Sequence, residues 1–351
     1  MNNPNNLKLT NAHPRDADIK FWEEGHRYEI LTDPGTSYKS VTTWVHSHFP
    51  KFNADNVIRK MKAGKNWNES NKYWGMTAGQ IKKQWNESGR AAASAGTQLH
   101  EQIECFMNNN ALQSRYTHAH LIENINNENI NNENISSNSN TDTDEWSYFL
   151  QFIRDTPTLC PYRTEWTIYH EDAKFAGTID MVYENSDGTL SIYDWKRCKE
   201  ITKANNFGEN ALTKSILHLP ATNYWQYSLQ LNTYRKILED KYGKKVSELY
   251  LVKFHPDDGN KTYELIKVPL LDDEMKELFA PLTHTVKNTT INAVSPVHTP
   301  TNFEDFVAKF NELSRRVEEL VEKVDSQKGE ILNLRKIIEE HKLGSIQKSD
   351  I

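Results

Sequence analysis

Apolar residues change their spacing along this chain, and the changes divide it into segments. Residues 1–18 are polar and carry no period, so they read as a flexible tail. From Ile19 the pattern shortens. Phe21, Tyr28, Ile30 and Leu31, broken by Glu23-Glu24-Gly25-His26, predict a hairpin, and Tyr38 to Val45, rich in β-branched residues, predicts more extended chain before Pro50. Helical periods follow at 53–62, 77–88 and 91–107.

Residues 124–143 are of another kind. Asn-Ile-Asn-Asn-Glu-Asn occurs nearly twice before Ser-Ser-Asn-Ser-Asn, and so polar a stretch buries too little apolar surface to order itself; it is expected to be a disordered insertion. The spacing then predicts a helix over 146–154, a strand over 162–169, and a hairpin over 175–196 turning at Asn185-Ser186-Asp187-Gly188. A long helix over 224–242 and strands over 247–254 and 262–269 complete the series. This mixture predicts an α/β domain over 19–285 with a mixed central sheet flanked by helices.

After a linker at 286–302, apolar residues step by three and four: Phe303, Phe306, Phe310, Leu313, Val317, Leu320, Val324, then Ile331, Leu334 and Ile338 beyond Gln327. That is a heptad seam over 303–342, followed by a tail at 343–351. Val and Ile at a positions with Leu at most d positions favour a parallel pair, with Gln327 fixing register, so a homodimer through a coiled coil of about 60 Å is expected. A helix packed back on the domain is the competing reading.

Composition narrows the class. No apolar run of membrane-spanning length occurs and the amino terminus lacks the features of a signal peptide, so the expectation is a soluble intracellular protein of cytoplasm or nucleus, with no membrane partner. Cys105, Cys160 and Cys198 are too scattered for a disulfide framework or a zinc site. The net charge of −6 argues against indiscriminate nucleic-acid binding, yet residues 51–90 hold nine Lys or Arg against three acids. There Lys60, Lys62, Lys65, Trp67, Lys72, Tyr73 and Trp74, with Phe52 and Trp85 nearby, mix cations for phosphates with rings for unpaired bases. Core aromatics beside solvated lysines would give the same composition.

The strongest chemical signal is Gly177-Thr178-Ile179-Asp180 followed across a turn by Ile192-Tyr193-Asp194-Trp195-Lys196. Alternate strand residues share a face, so Asp194 and Lys196 point the same way, and Asp180 on the partner strand can stand beside Asp194. Paired carboxylates repel unless a cation lies between them, and hard oxygen donors suit Mg²⁺ or Mn²⁺. Upstream, His100 and Glu104 share one helix face, and the imidazole makes Mn²⁺ as credible as Mg²⁺. Gln226, Gln230 and Tyr234 stack at i, i+4 and i+8 on the long helix, as site residues or as an ordinary half-buried stripe.

These elements, in this order, resemble the RecB-like nucleases of the PD-(D/E)XK superfamily. The matching residues are Gly96, His100 and Glu104; Gly177 and Asp180; Asp194 and Lys196; and Gln230 with Tyr234, with Glu165 on the preceding strand similar to a further acid often found there. The resemblance covers about residues 90–270, and Ser40-Val41-Thr42-Thr43-Trp44 also looks like the amino-terminal segment of stand-alone viral and mitochondrial exonucleases of this type. Viral members would place such a protein in an infected cell. Ile179 stands where the superfamily's proline would be, and Asp194 where many members have glutamate. There is neither a four-cysteine set for an iron-sulfur cluster nor a phosphate loop of helicase type.

The resemblance implies a restriction-endonuclease-like core and hydrolysis of DNA to 5′-phosphate and 3′-hydroxyl ends. It implies a first ion held by His100, Asp180, Asp194 and the Trp195 carbonyl, with Glu104 or Glu165 helping to hold a second. Lys196 would position or deprotonate the attacking water, and Gln230 and Tyr234 would orient phosphate. Two other readings stay open: an RNA endonuclease of the cap-snatching type, and a non-catalytic DNA-binding scaffold built on the coiled coil.

Overall fold

The amino-terminal stretch caps the edge of a sheet instead of trailing as a tail. The computed structural model describes residues 6–109, 115–127, 143–205, 208–257 and 259–292. Asn6–Thr10 forms a short helix (α1) and Pro14–Asp18 a 3-10 turn. Leu7 is buried and donates its N–H to Asn108 Oδ1 (3.0 Å), and Asn11 Nδ2 donates to the Tyr162 carbonyl (2.8 Å). Asp16 accepts from Arg163 Nη1 (2.8 Å) and from Trp166 Nε1 (3.0 Å). Single anchors spaced this widely leave no period, so the sequence reads as polar tail although each anchor has a partner.

Ile19–Trp22 (β1) and Arg27–Ile30 (β2) pair antiparallel as the expected hairpin. Lys39–Ser40 (β3) is followed at once by a helix, Val41–His46 (α2), where extended chain was expected. The Ser40 hydroxyl caps that helix by accepting from the Thr43 N–H (3.1 Å), and Val41, Trp44 and Val45, at i, i+3 and i+4, bury one face. A cap and a buried stripe outweigh the modest helical reluctance of valine and threonine.

Ala54–Ala63 (α3) is capped by Asn53, and the two expected helices after it are a single 32-residue one, Ala78–Asn109 (α4). His118–Asn127 (α5) takes up residues 124–127 of the expected insertion, while 128–142 lie outside the described residues. Then come Asp144–Asp155 (α6), Cys160–His170 (β4), Phe175–Glu184 (β5), Leu190–Lys196 (β6), Asn223–Lys241 (α7), Val246–Lys253 (β7) and Glu264–Val268 (β8). The last described element is Asp272–Asn292 (α8), a helix through Pro281 that continues past residue 285, where the domain was expected to give way to a linker. The rest of that linker, the 303–342 seam and the tail lie outside the described residues.

The six-stranded sheet is mixed. β4 pairs antiparallel with β5, β5 with β6, and β7 with β8, whereas β3 runs parallel to β5 and β6 parallel to β7. One face packs on α2, α7 and α8 through Trp44, Leu229, Leu231, Ile237, Met275 and Leu278. The other packs on α4, α5 and α6 through Leu99, Ile103, Met107, Leu121, Phe149 and Phe152. The result is a mixed sheet between two helical layers, with β4 at its edge under the amino-terminal cap. No helix among the described residues is long and apolar enough to cross a membrane.

Candidate metal centre

Strand register brings the acids together. Thr164 pairs with Met181 and Trp166 with Ile179, which sets Glu165 opposite Asp180. Met181 pairs with Tyr193, so one step further along Asp180 comes opposite Asp194. The sheet is irregular at this row. Glu165 takes a left-handed φ of 41°, a conformation costing about 1–3 kcal/mol that proteins keep chiefly at working sites. Ile179 and Val182 fall in one core layer and Met181 in the other, whereas a regular strand would put Ile179 and Met181 on one face. Asp180 Oδ2 takes up one of the freed backbone donors, accepting from the Trp195 N–H (2.9 Å).

Helix α4 supplies the imidazole. Leu99, Ile103 and Met107 bury one side of the helix, and His100 stands beside that stripe, half-buried against the strands. Its Nδ1 lies 3.7 Å from Asp180 Oδ2 and 3.9 Å from Glu165 Oε1, and its Nε2 is 3.2 Å from the Trp195 carbonyl oxygen. His100, Glu165 and Asp180 each offer a ligand atom within 4.8 Å of the others.

Asp194 is fully buried next to this trio. Its Oδ2 lies 2.5 Å from Lys196 Nζ yet takes part in no hydrogen bond of good geometry. Burial pushes the Asp194 carboxyl up to about 6, with Lys196 opposing the shift and Asp180 adding to it. Burial, then the charges of Asp180, Glu104 and Asp194, push Glu165 up to about 9. Burial also raises Glu104, with Glu101 contributing. Acids forced together in this way are the condition that a divalent cation relieves, and the donor set of one imidazole and several carboxylates fits Mn²⁺ or Mg²⁺.

Of the residues expected to hold metal, His100, Asp180 and Glu165 form the tight set, and the Trp195 carbonyl adjoins His100. Asp194 sits one place back, joined to Lys196, and Glu104 makes its effect felt on Glu165 by charge. Lys196 is half-buried. Burial pulls its ammonium down, but the carboxylates of Asp194 and Asp180 outweigh that and hold it above its ordinary range.

Helix α7 closes the site from the other side. Gln230 Nε2 donates to Tyr234 Oη (3.0 Å), and Tyr234 is buried, which raises its phenol well above the usual range. Tyr227, which was not among the residues singled out from the sequence, has its ring 4.6 Å from Lys196 Nζ. Tyr227, Gln230 and Tyr234 follow i, i+3, i+7, which holds to one helix face better than the i, i+4, i+8 series that began at Gln226. That spacing was the available signal.

The basic aromatic segment is partly packed on itself. Trp67 and Trp74 stand 5.6 Å apart, Tyr73 and Phe52 each 6.0 Å from Trp85, with Lys62 Nζ 5.2 Å from the Trp67 ring and Lys72 Nζ 5.5 Å from Tyr73. Lys62 also donates to the Met76 carbonyl (2.8 Å). Phe52 and Trp74 remain 74% and 46% exposed, and Lys60 and Lys65 are exposed too, so the segment presents rings and cations to solvent while Trp67 and Tyr73 are half-buried.

No family model matches this chain, and no curated protein matches it either.

Proposed function

We propose that this chain is a metal-dependent DNA nuclease with a PD-(D/E)XK-like core. The observation that carries the reading is the convergence of His100, Glu165 and Asp180 within 4.8 Å, beside buried Asp194 and its half-buried partner Lys196. An ordinary surface hairpin has no reason to bury an aspartate against two further carboxylates with a lysine closing over it, since each desolvated charge is costly unless it is used or compensated.

A divalent cation held by these donors would lower the pKa of the water it binds and offset charge building on the scissile phosphate. Lys196, kept charged by Asp194 and Asp180, presents a fixed ammonium to that anionic phosphate. Asp194 orients Lys196, and the Tyr227 ring supports the ammonium from α7. The Trp195 carbonyl and His100 Nε2 fix the imidazole, while Trp195 N–H holds Asp180. Gln230 and Tyr234 brace the wall of the site through their mutual hydrogen bond. The products would carry 5′-phosphate and 3′-hydroxyl ends, and the heptad seam over 303–342 would pair two copies.

The test is incubation of the purified protein and its Asp180→Asn variant with end-labelled linear DNA, closed circular DNA and RNA, each with Mg²⁺, Mn²⁺ or chelator. Metal-dependent loss of linear DNA, absent in the variant, is the expected result, and survival of the circles would mark an exonuclease. Cleavage of RNA alone would turn the reading to a ribonuclease. Survival of every substrate would overturn it.

A further inference from the structure

Next to the candidate centre, a cleft of about 350 Å³ runs between β1 and the edge strand β4. That volume is within the roughly 300–1,000 Å³ of small-ligand clefts. Arg163, Glu165 and Thr167 line it from β4, and Lys8, Lys20 and Trp22 from the amino-terminal cap. Glu165 belongs to the metal-binding trio, so the cleft opens onto the site itself. Tyr28 on β2 ties the hairpin to the same place, its hydroxyl 3.3 Å from Thr178 Oγ1.

The lining is chemically uneven. Asp16 is engaged by Arg163 and Trp166, and Glu165 by the centre. The ammonium groups of Lys8 and Lys20 make no ion pair or hydrogen bond with any described residue. Arg163 is buried, and its Nε is left without an acceptor. Trp22 is 45% exposed, its indole N–H fixed by Glu29 Oε2 at 2.8 Å, so the ring is held as a platform with a face to solvent. Phe21 is exposed beside it, steadied by Tyr28 and His26. Unpaired cations beside immobilised, solvent-facing rings are what a single nucleic-acid strand requires, with phosphates at the cations and bases on the rings.

We infer that the β1–β4 cleft binds an unpaired DNA strand at the mouth of the metal centre, with a base on Trp22 and phosphates at Lys8 and Lys20. The inference rests on the nuclease reading for its orientation toward Glu165, but the binding it claims is measurable without cleavage. It also places strand contact on the amino-terminal cap, outside the basic segment at 51–90.

The test uses the full chain with fluorescein-labelled 20-nucleotide oligo(dT) and with a blunt 20-base-pair duplex, titrated by anisotropy in Ca²⁺ at several salt concentrations. Replacing Trp22 by alanine should weaken single-strand binding about tenfold, and by phenylalanine much less. The doubly substituted Lys8→Ala, Lys20→Ala protein should lower the salt slope for oligo(dT) by about 1.4, for two lost phosphate contacts at about 0.7 each. Duplex affinity should be unchanged in all of them. A 5-iodouracil oligonucleotide should cross-link to Phe21 or Trp22 in the wild type, which guards against a misfolded variant. Unchanged oligo(dT) affinity and slope, or cross-links confined to residues 51–90, would overturn the inference. Binding through the cleft without cleavage would sink the nuclease reading and leave the cleft. Metal-dependent cleavage with unaltered binding in the variants would do the reverse.

Discussion

Tyr234 occupies the space that a side chain at Gly177 would need: a Cβ there would stand 2.7 Å from Tyr234 Cε1 and 3.1 Å from Val41 Cγ2. Tyr234 is buried and hydrogen-bonded to Gln230, so the ring has little room to retreat. Replacing Gly177 by alanine should therefore cost about 1–3 kcal/mol through overpacking. It should also displace Tyr234 from Gln230 and reduce cleavage. Urea unfolding of the variant checks the first, and activity at a temperature where it is still folded checks the second. A variant as stable and active as wild type would show that α7 yields easily.

Lys196→Ala should abolish cleavage while leaving DNA binding in Ca²⁺ largely intact, because on the proposed reading the ammonium that Asp194 keeps charged would face the reacting phosphate. Tyr227→Leu should lower kcat by a smaller factor, about tenfold, with KM little altered, since it removes only the ring beneath Lys196. Tyr227→Phe keeps a ring and should recover most of the rate. Equal losses in Tyr227→Phe and Tyr227→Leu would assign the effect to the hydroxyl.

Metal should stabilise the fold. Glu165, Asp180 and Asp194 repel one another when ionised, so a cation that binds the native state alone raises stability by RT ln(1 + [M]/Kd), about 2.7 kcal/mol at a hundredfold excess over Kd. Calorimetry should show the melting temperature rising with Mn²⁺, and falling back with chelator. Glu165→Gln should melt higher than wild type in chelator and respond less to Mn²⁺. A melting temperature indifferent to metal in the wild type would count against the centre.

His118 sets part of the acid stability. Its ring is buried between Thr156 Oγ1 (2.9 Å) and Tyr183 Oη (3.1 Å), and burial, partly opposed by Thr156, pulls its pKa from 6.5 down to about 3. As pH falls below 6.5 the unfolded chain takes up a proton that the native state refuses, so stability is lost by about 1.4 kcal/mol per pH unit until about pH 3. Above 6.5 the group contributes no pH dependence. Between pH 7.5 and pH 5 the wild type should lose about 2 kcal/mol more than His118→Gln in urea unfolding. Parallel pH profiles would mean that the imidazole is charged in the native state.

Deleting residues 303–351 should convert a dimer to a monomer in light scattering at micromolar concentration, without loss of the metal response. A full-length monomer would remove the pairing of two copies.

Local periodicity determined much of this protein. The β-branched and aromatic runs of β4, β5 and β6, the turn at Asn185–Gly188, the amphipathic α6 and the long α7 were legible because each depends on residues within a few positions of one another. So were Asp180, the Asp194–Lys196 pair and His100 as candidates, since strand and helix spacing fix which side chains share a face. The amino-terminal cap was not legible, because its anchors Leu7, Asn11 and Asp16 find partners 101 to 151 residues away. Nor was α2, where one serine cap and a buried stripe decided between two conformations that valine and threonine tolerate almost equally.

At the site, tertiary structure chose which acids meet. Spacing brought out Asp194 and the resemblance added Glu165 as an accessory, but the irregular row at Glu165 and Asp180 turned those two toward His100 and set Asp194 against Lys196. The pairing keeps one register on both sides of Glu165, so the change of face is a local backbone irregularity at Glu165 and Asp180, held by the packing of whole layers against the sheet. The sequence carries the side chains, and only the assembled layers decide which of them meet.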